Sequence, residues 1–67
     1  MTTEKWVCIG DIIIYGNNRA NPFIVTGVLY DDTQGTWVAE LKNLSKGTNV
    51  FMDCWNLRRY YRKLEEI

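Results

Sequence analysis

"DCWNLRRYYRKL", residues 53–64, is the stretch whose reading decides the fold. Cys54, Leu57, Tyr61 and Leu64 fall at i, i+3, i+7 and i+10, one face of a helix, and Asp53 stands where an N-cap belongs. That spacing predicts a helix over 54–66. The charges run against it, because the arginines come in the first turns and Glu65 and Glu66 at the end, opposite to what the helix macrodipole favours. The same residues also read as one helical turn, Cys54 to Leu57, followed by a strand from Arg59 to Leu64, since tyrosines suit strands.

The residues before it weigh on the choice. Turn signals recur at the spacing of a small all-β domain and leave four strands between them. "IIIY", Ile12 to Tyr15, is a β-branched run and a first strand; "GNNRANP", Gly16 to Pro22, is loop by its glycine, asparagines and only proline. "FIVTGVLY", Phe23 to Tyr30, is a second strand in which Gly27 marks a bulge or bend. After the turn Asp31 to Gly35, "TWVAEL" alternates Trp37, Ala39 and Leu41 against Thr36, Val38 and Glu40, a half-buried third strand. "KNLSKG" turns the chain again, and Thr48 to Asp53 forms a fourth strand with Val50 and Met52 on one side and Asn49 and Phe51 on the other. Four curled strands leave an edge that a fifth would cover, so the turn plus fifth strand is the expected arrangement and the helix its alternative.

Sixty-seven residues make one domain with a thin stability margin, and a hydrophobic fraction of 46% is that of a chain that folds by itself. Formal net charge is zero, which argues against a protein whose main task is to neutralise phosphates. The charge is unevenly spread. Residues 1–57 set Lys5, Arg19, Lys42 and Lys46 against Glu4, Asp11, Asp31, Asp32, Glu40 and Asp53, a net of −2, and residues 58–67 set Arg58, Arg59, Arg62 and Lys63 against Glu65 and Glu66, a net of +2. Cys8 and Cys54 are too few and too far apart for a disulfide framework and are expected as reduced, buried thiols. "MTTEKW" lacks the pattern of a signal peptide and no apolar run approaches the roughly 20 residues of a membrane span, so a cytoplasmic protein away from membranes is expected.

The chain has no histidine, no glycine-rich phosphate loop and no cysteine–histidine spacing for zinc, so no catalytic residue, cofactor or metal site is expected. Its aromatic residues say more. Trp6, Tyr15, Phe23, Tyr30, Trp37, Phe51, Trp55, Tyr60 and Tyr61 are too many large side chains for one small core. Phe23, Trp37 and one tyrosine are expected to fill it, with Leu57, Tyr61 and Leu64 beside them. Tyr15, Tyr30, Trp55 and Tyr60 are left for a surface, together with Arg58 and Arg62, because Tyr, Trp and Arg anchor interfaces. The expected partner is another protein or a second copy of the chain. The alternative is single-stranded or structured nucleic acid, with Tyr60 stacking on a base and the C-terminal cations on phosphates.

In this order of elements the chain resembles the Src-homology-3-like barrels of many small bacterial and bacteriophage proteins. The likeness lies in Gly10-Asp11 before the first strand, a long first loop, three short hairpins and the tight turn "DCWNL" before a final strand "RRYYRKL". The resemblance implies a mostly β fold, a single antiparallel barrel of four to five strands with a short C-terminal helical turn. It also implies an accessory or inhibitor protein of the kind bacteriophages produce. "GNNRANP" has neither the aromatic cluster nor the paired acids of the peptide-binding eukaryotic members, so recognition of proline-rich peptides is not implied. In outline the chain is similar to the plasmid-borne barrel-type dihydrofolate reductases as well, but "VFMD" stands where their active-site tetrapeptide would be, and that activity is not carried over.

A chain ended at Arg58 loses Tyr61 and Leu64, at about 2 to 5 kcal/mol for each core side chain, from a domain with little reserve. It is expected not to fold. A dispersed amide spectrum from the truncated chain would instead make the tail an appendage.

Overall fold

The computed structural model describes residues 5–64. Its elements are β1 (Ile12–Tyr15), β2 (Phe23–Asp31), β3 (Thr36–Asn43), β4 (Asn49–Asp53), α1 (Cys54–Tyr60) and β5 (Tyr61–Lys63). The strands form one open antiparallel sheet in the order β4-β3-β2-β1-β5, so β4 and β5 are its two edges. Both expectations for the C-terminal stretch are partly met. The helical turn runs on to Tyr60, longer than Cys54 to Leu57, and the fifth strand shortens to three residues. A helix of this length has Arg58 and Arg59 in its last turn, the end a cation favours, which removes the electrostatic objection to it.

Asp53 ends β4 and caps α1. Its Oδ2 accepts a hydrogen bond from the backbone N–H of Asn56 at 3.0 Å, and its Oδ1 one from the Asn56 side chain at 2.8 Å. The cap turns the chain so that Cys54 and Leu57 are buried against the sheet.

Two turns build the central hairpins by one device. The Asp31 side chain accepts from the N–H groups of Thr33 (2.9 Å) and Gln34 (3.4 Å), and the Asn43 side chain from those of Ser45 (2.9 Å) and Lys46 (3.0 Å). Each turn closes on a glycine with positive φ, Gly35 at 65° and Gly47 at 74°, whose N–H donates to the carbonyl of the same Asp or Asn. Because Lys42 and Asn43 still pair with β2, β3 runs two residues past the expected Leu41. The register of β2 on β3 shifts between Val25 and Gly27, the bulge that Gly27 signalled. Across it the inward side chains pass from Phe23 and Val25 to Val28 and Tyr30, opposite Asn43, Leu41, Ala39 and Trp37.

The core is aliphatic, a cluster of Val7, Ile13, Val25, Ala39, Leu41, Cys54 and Leu57. The expectation that aromatics fill it is corrected: Trp6, Phe23, Trp37 and Tyr61 are only partly buried and pack around the cluster, and Leu64 is half-buried. Branched and small side chains interdigitate closely where three large rings would not fit together in so small a space. Val7 was not anticipated. Cys54 is buried as expected, but Cys8 is exposed, because it lies in the turn before β1 where its N–H donates to the Asp11 carboxylate at 2.9 Å; both thiols are free. Ile14 is buried apart from the cluster and alternates with Ile13, so β1 is covered on both faces. No helix among the described residues is long and apolar enough to cross a membrane.

Leu57→Ala is expected to cost about 2 to 5 kcal/mol, a large part of the stability of so small a domain, and Asp53→Ala about 1 kcal/mol through loss of the cap. Chemical denaturation of both variants checks the order; equal, small effects would mean that α1 does not hold the sheet.

Candidate functional site

With Cys54 and Leu57 turned inward, α1 presents Trp55 and Tyr60 half-exposed on its other side. Trp55 and Arg59 are four residues apart, one helical turn, and the Arg59 guanidinium lies over the Trp55 ring at 4.4 Å from its centroid. The same guanidinium is 5.6 Å from the Tyr60 ring centroid. One cation therefore links the two exposed rings.

Beyond the helix the chain enters β5, where Tyr61 pairs with Tyr15 across the β1–β5 ladder. Their rings meet edge to face at 5.3 Å, and Tyr61 meets Phe23 the same way at 5.9 Å. Burial, and secondly the neighbouring Tyr15, push the Tyr61 hydroxyl above its ordinary pKa. The Tyr60 carbonyl accepts from the Gly16 N–H at 3.0 Å, tying the end of the helix to the loop after β1. Between these elements lies an open groove of about 280 Å³ lined by Tyr15, Met52, Asn56, Tyr60 and Tyr61.

The surface expected from sequence is thus brought together only in part. Tyr15 and Tyr60 line the groove, and Trp55 flanks it through Arg59. Tyr30 does not line it: its ring packs edge to face on Trp37 at 5.4 Å, near the β2–β3 turn. Arg58 is exposed in the last turn of α1. Arg62 pairs with Ile14 and alternates with Tyr61, so it projects from the opposite face of the sheet. Met52, Asn56 and Arg59 were missed, and Tyr61 was assigned to the core alone. The i, i+4 spacing of Trp55 and Arg59 was the one signal that sequence offered for Arg59.

The cations of the C-terminal stretch disperse. Arg59 sits on Trp55, Arg62 points away, and Lys63 lies 4.0 Å from the Asp11 carboxylate and 5.3 Å from the Trp6 ring centroid. Pairing of these cations with Glu65 or Glu66 falls outside the described residues. Among the described residues no group of three or more His, Cys, Asp or Glu is placed to hold a metal ion. No protein-family model, no curated protein and no solved structure matches this chain.

Below the groove, burial first and the adjacent Asp53 carboxylate second push the Cys54 thiol up, while the Trp6 N–H and Lys5 pull it down less strongly. Cys54 and Tyr61 are both neutral when protonated and both bind that proton more tightly in the folded state. Their contribution is therefore complete below their unfolded pKa values, about 8.5 and 10, and is lost as pH rises through the higher folded values. Stability should fall progressively above about pH 9, and less steeply in the double variant Cys54→Val, Tyr61→Phe. Urea midpoints measured across this range decide it; an identical slope in the variant would remove both groups from the cause.

Proposed function

We propose that this chain is a non-enzymatic binding module that docks on another protein through the face carrying Tyr15, Trp55, Arg59 and Tyr60. The observation that carries this reading is the open groove between Tyr15 and Tyr60, lined with apolar and aromatic side chains and flanked by an arginine already stacked on a tryptophan. Tyr, Trp and Arg supply most of the energy at protein interfaces. Tyr15 is held by Tyr61 and Arg59 by Trp55, so these side chains lose little freedom when a partner arrives. A phosphate backbone fits less well, because cations on opposite faces cannot follow one strand.

The strand order, the bulge at Val25–Gly27 that curls β2, and the short helix between β4 and β5 support reading the sheet as a Src-homology-3-like barrel. On that scaffold the groove lies where β1, α1 and β5 meet.

The test is capture of partners from nuclease-treated lysate, followed by titration of the captured protein against variants. Trp55→Ala and Tyr60→Ala are each expected to weaken binding by about 2 kcal/mol or more, while Arg62→Glu, on the other face, costs little. Both aromatics are half-exposed, and an unchanged amide spectrum confirms that each variant folds. Tight binding of single-stranded DNA or RNA at physiological salt, abolished by Tyr60→Ala, would overturn the proposal.

A further inference from the structure

The fold leaves β4 as an open edge. On one side it pairs with β3, from Val38 opposite Asp53 to Lys42 opposite Asn49, and among the described residues no strand lies on the other. Such an edge offers a row of backbone donors and acceptors, and proteins usually blunt it with lysine, proline or a bulge. From Asn49 to Met52 there is no charge and no proline, and the register on β3 is regular. The edge also carries apolar side chains into solvent: Phe51 is 63% exposed and Val50 40%. On the Phe51 face, Leu29 and Val38 continue the apolar surface into a shallow depression that Met52, Asp53, Asp31 and Gln34 complete.

We infer that β4 pairs antiparallel with β4 of a second copy, about a two-fold axis at Phe51, joining two sheets edge to edge. The hydrogen-bonding row selects an extended strand as occupant, and the side chains select this one. Reversed on itself, Asn49–Asp53 is its own complement, as a two-fold interface requires. Phe51 faces the partner's Phe51, Val50 faces the partner's Met52, and Asn49 sets an amide against the partner's Asp53 carboxylate. That carboxylate accepts from Asn56 and has lone pairs to spare. Lys42 pairs with Asn49 on the same face and stands two strand spacings, about 10 Å, from the partner's Asp53, within reach of its long side chain. No like charges face each other across the seam, and zero net charge leaves no long-range repulsion between copies. This edge is separate from the Tyr15–Tyr60 face, so the inference does not depend on the partner proposed for that face.

Sedimentation of the full chain from micromolar to millimolar concentration should show a reversible monomer–dimer equilibrium. Phe51→Lys and Phe51→Glu, each at a largely exposed position, should fold and weaken self-association by at least about tenfold, because each sets a like charge against itself at the axis. Mixed together, the two variants should associate again, since position 51 then meets an opposite charge. A wild-type chain that stays monomeric throughout would overturn the inference, as would a dimer that survives Phe51→Lys or a mixture that fails to re-associate.

Discussion

The fold depends on the carboxylate of Asp53. It is the last residue of β4 and the cap of α1, so the chain passes from strand to helix with no linker, and the direction of the helix is set by hydrogen bonds to one residue, Asn56. From that direction follow the burial of Cys54 and Leu57 and the delivery of β5 from one edge of the sheet to the other. The groove is a product of the same crossing, since Asn56 and Tyr60 come from the helix while Tyr15 waits at the end of β1.

Around this crossing the sheet is organised by chemistry that repeats. Asp31-x-Thr33-x-Gly35 and Asn43-x-Ser45-x-Gly47 fold into matching turns at the two ends of β3 and keep β2, β3 and β4 in register. They differ in one hydroxyl. Thr33 donates to its own Asp31 at 2.6 Å, whereas Ser45 donates to the Ala20 carbonyl at 2.9 Å. Together with the bond from the Leu44 N–H to the Pro22 carbonyl, that contact fastens the long first loop to the second hairpin.

The strands were legible because their signals are local: β-branched runs, alternation in "TWVAEL", and turns built on Asp, Asn and Gly. Gly27 disclosed the bulge for the same reason. The length of α1 was not legible, because the arginines oppose a helix that continues to residue 66 and favour one that ends at Tyr60, and periodicity alone does not say where the helix stops. The core was misjudged where volume decides. Rings rich in area look like core residues, yet the sheet closes over Val7, Ile13 and Ala39 and leaves Trp37 and Phe23 at the margin. Tyr15, Trp55 and Tyr60 were found by residue type, whereas the exclusion of Arg62 and Tyr30 needed the pairing of β5 with β1 and of β2 with β3, which are relations between distant segments.

The pairing of Tyr15 with Tyr61 joins residues from opposite ends of the described chain, whereas the hairpins from β2 to β4 close short loops. Closing the longer loop costs more chain entropy, so the β1–β5 seam forms late and reopens first, and its amides should exchange with solvent before those of β3. The aromatic groove straddles this seam. A ligand seated between Tyr15 and Tyr60 therefore acts as a clasp, and its occupancy is written into the lifetime of the closed chain as well as into the affinity of the surface.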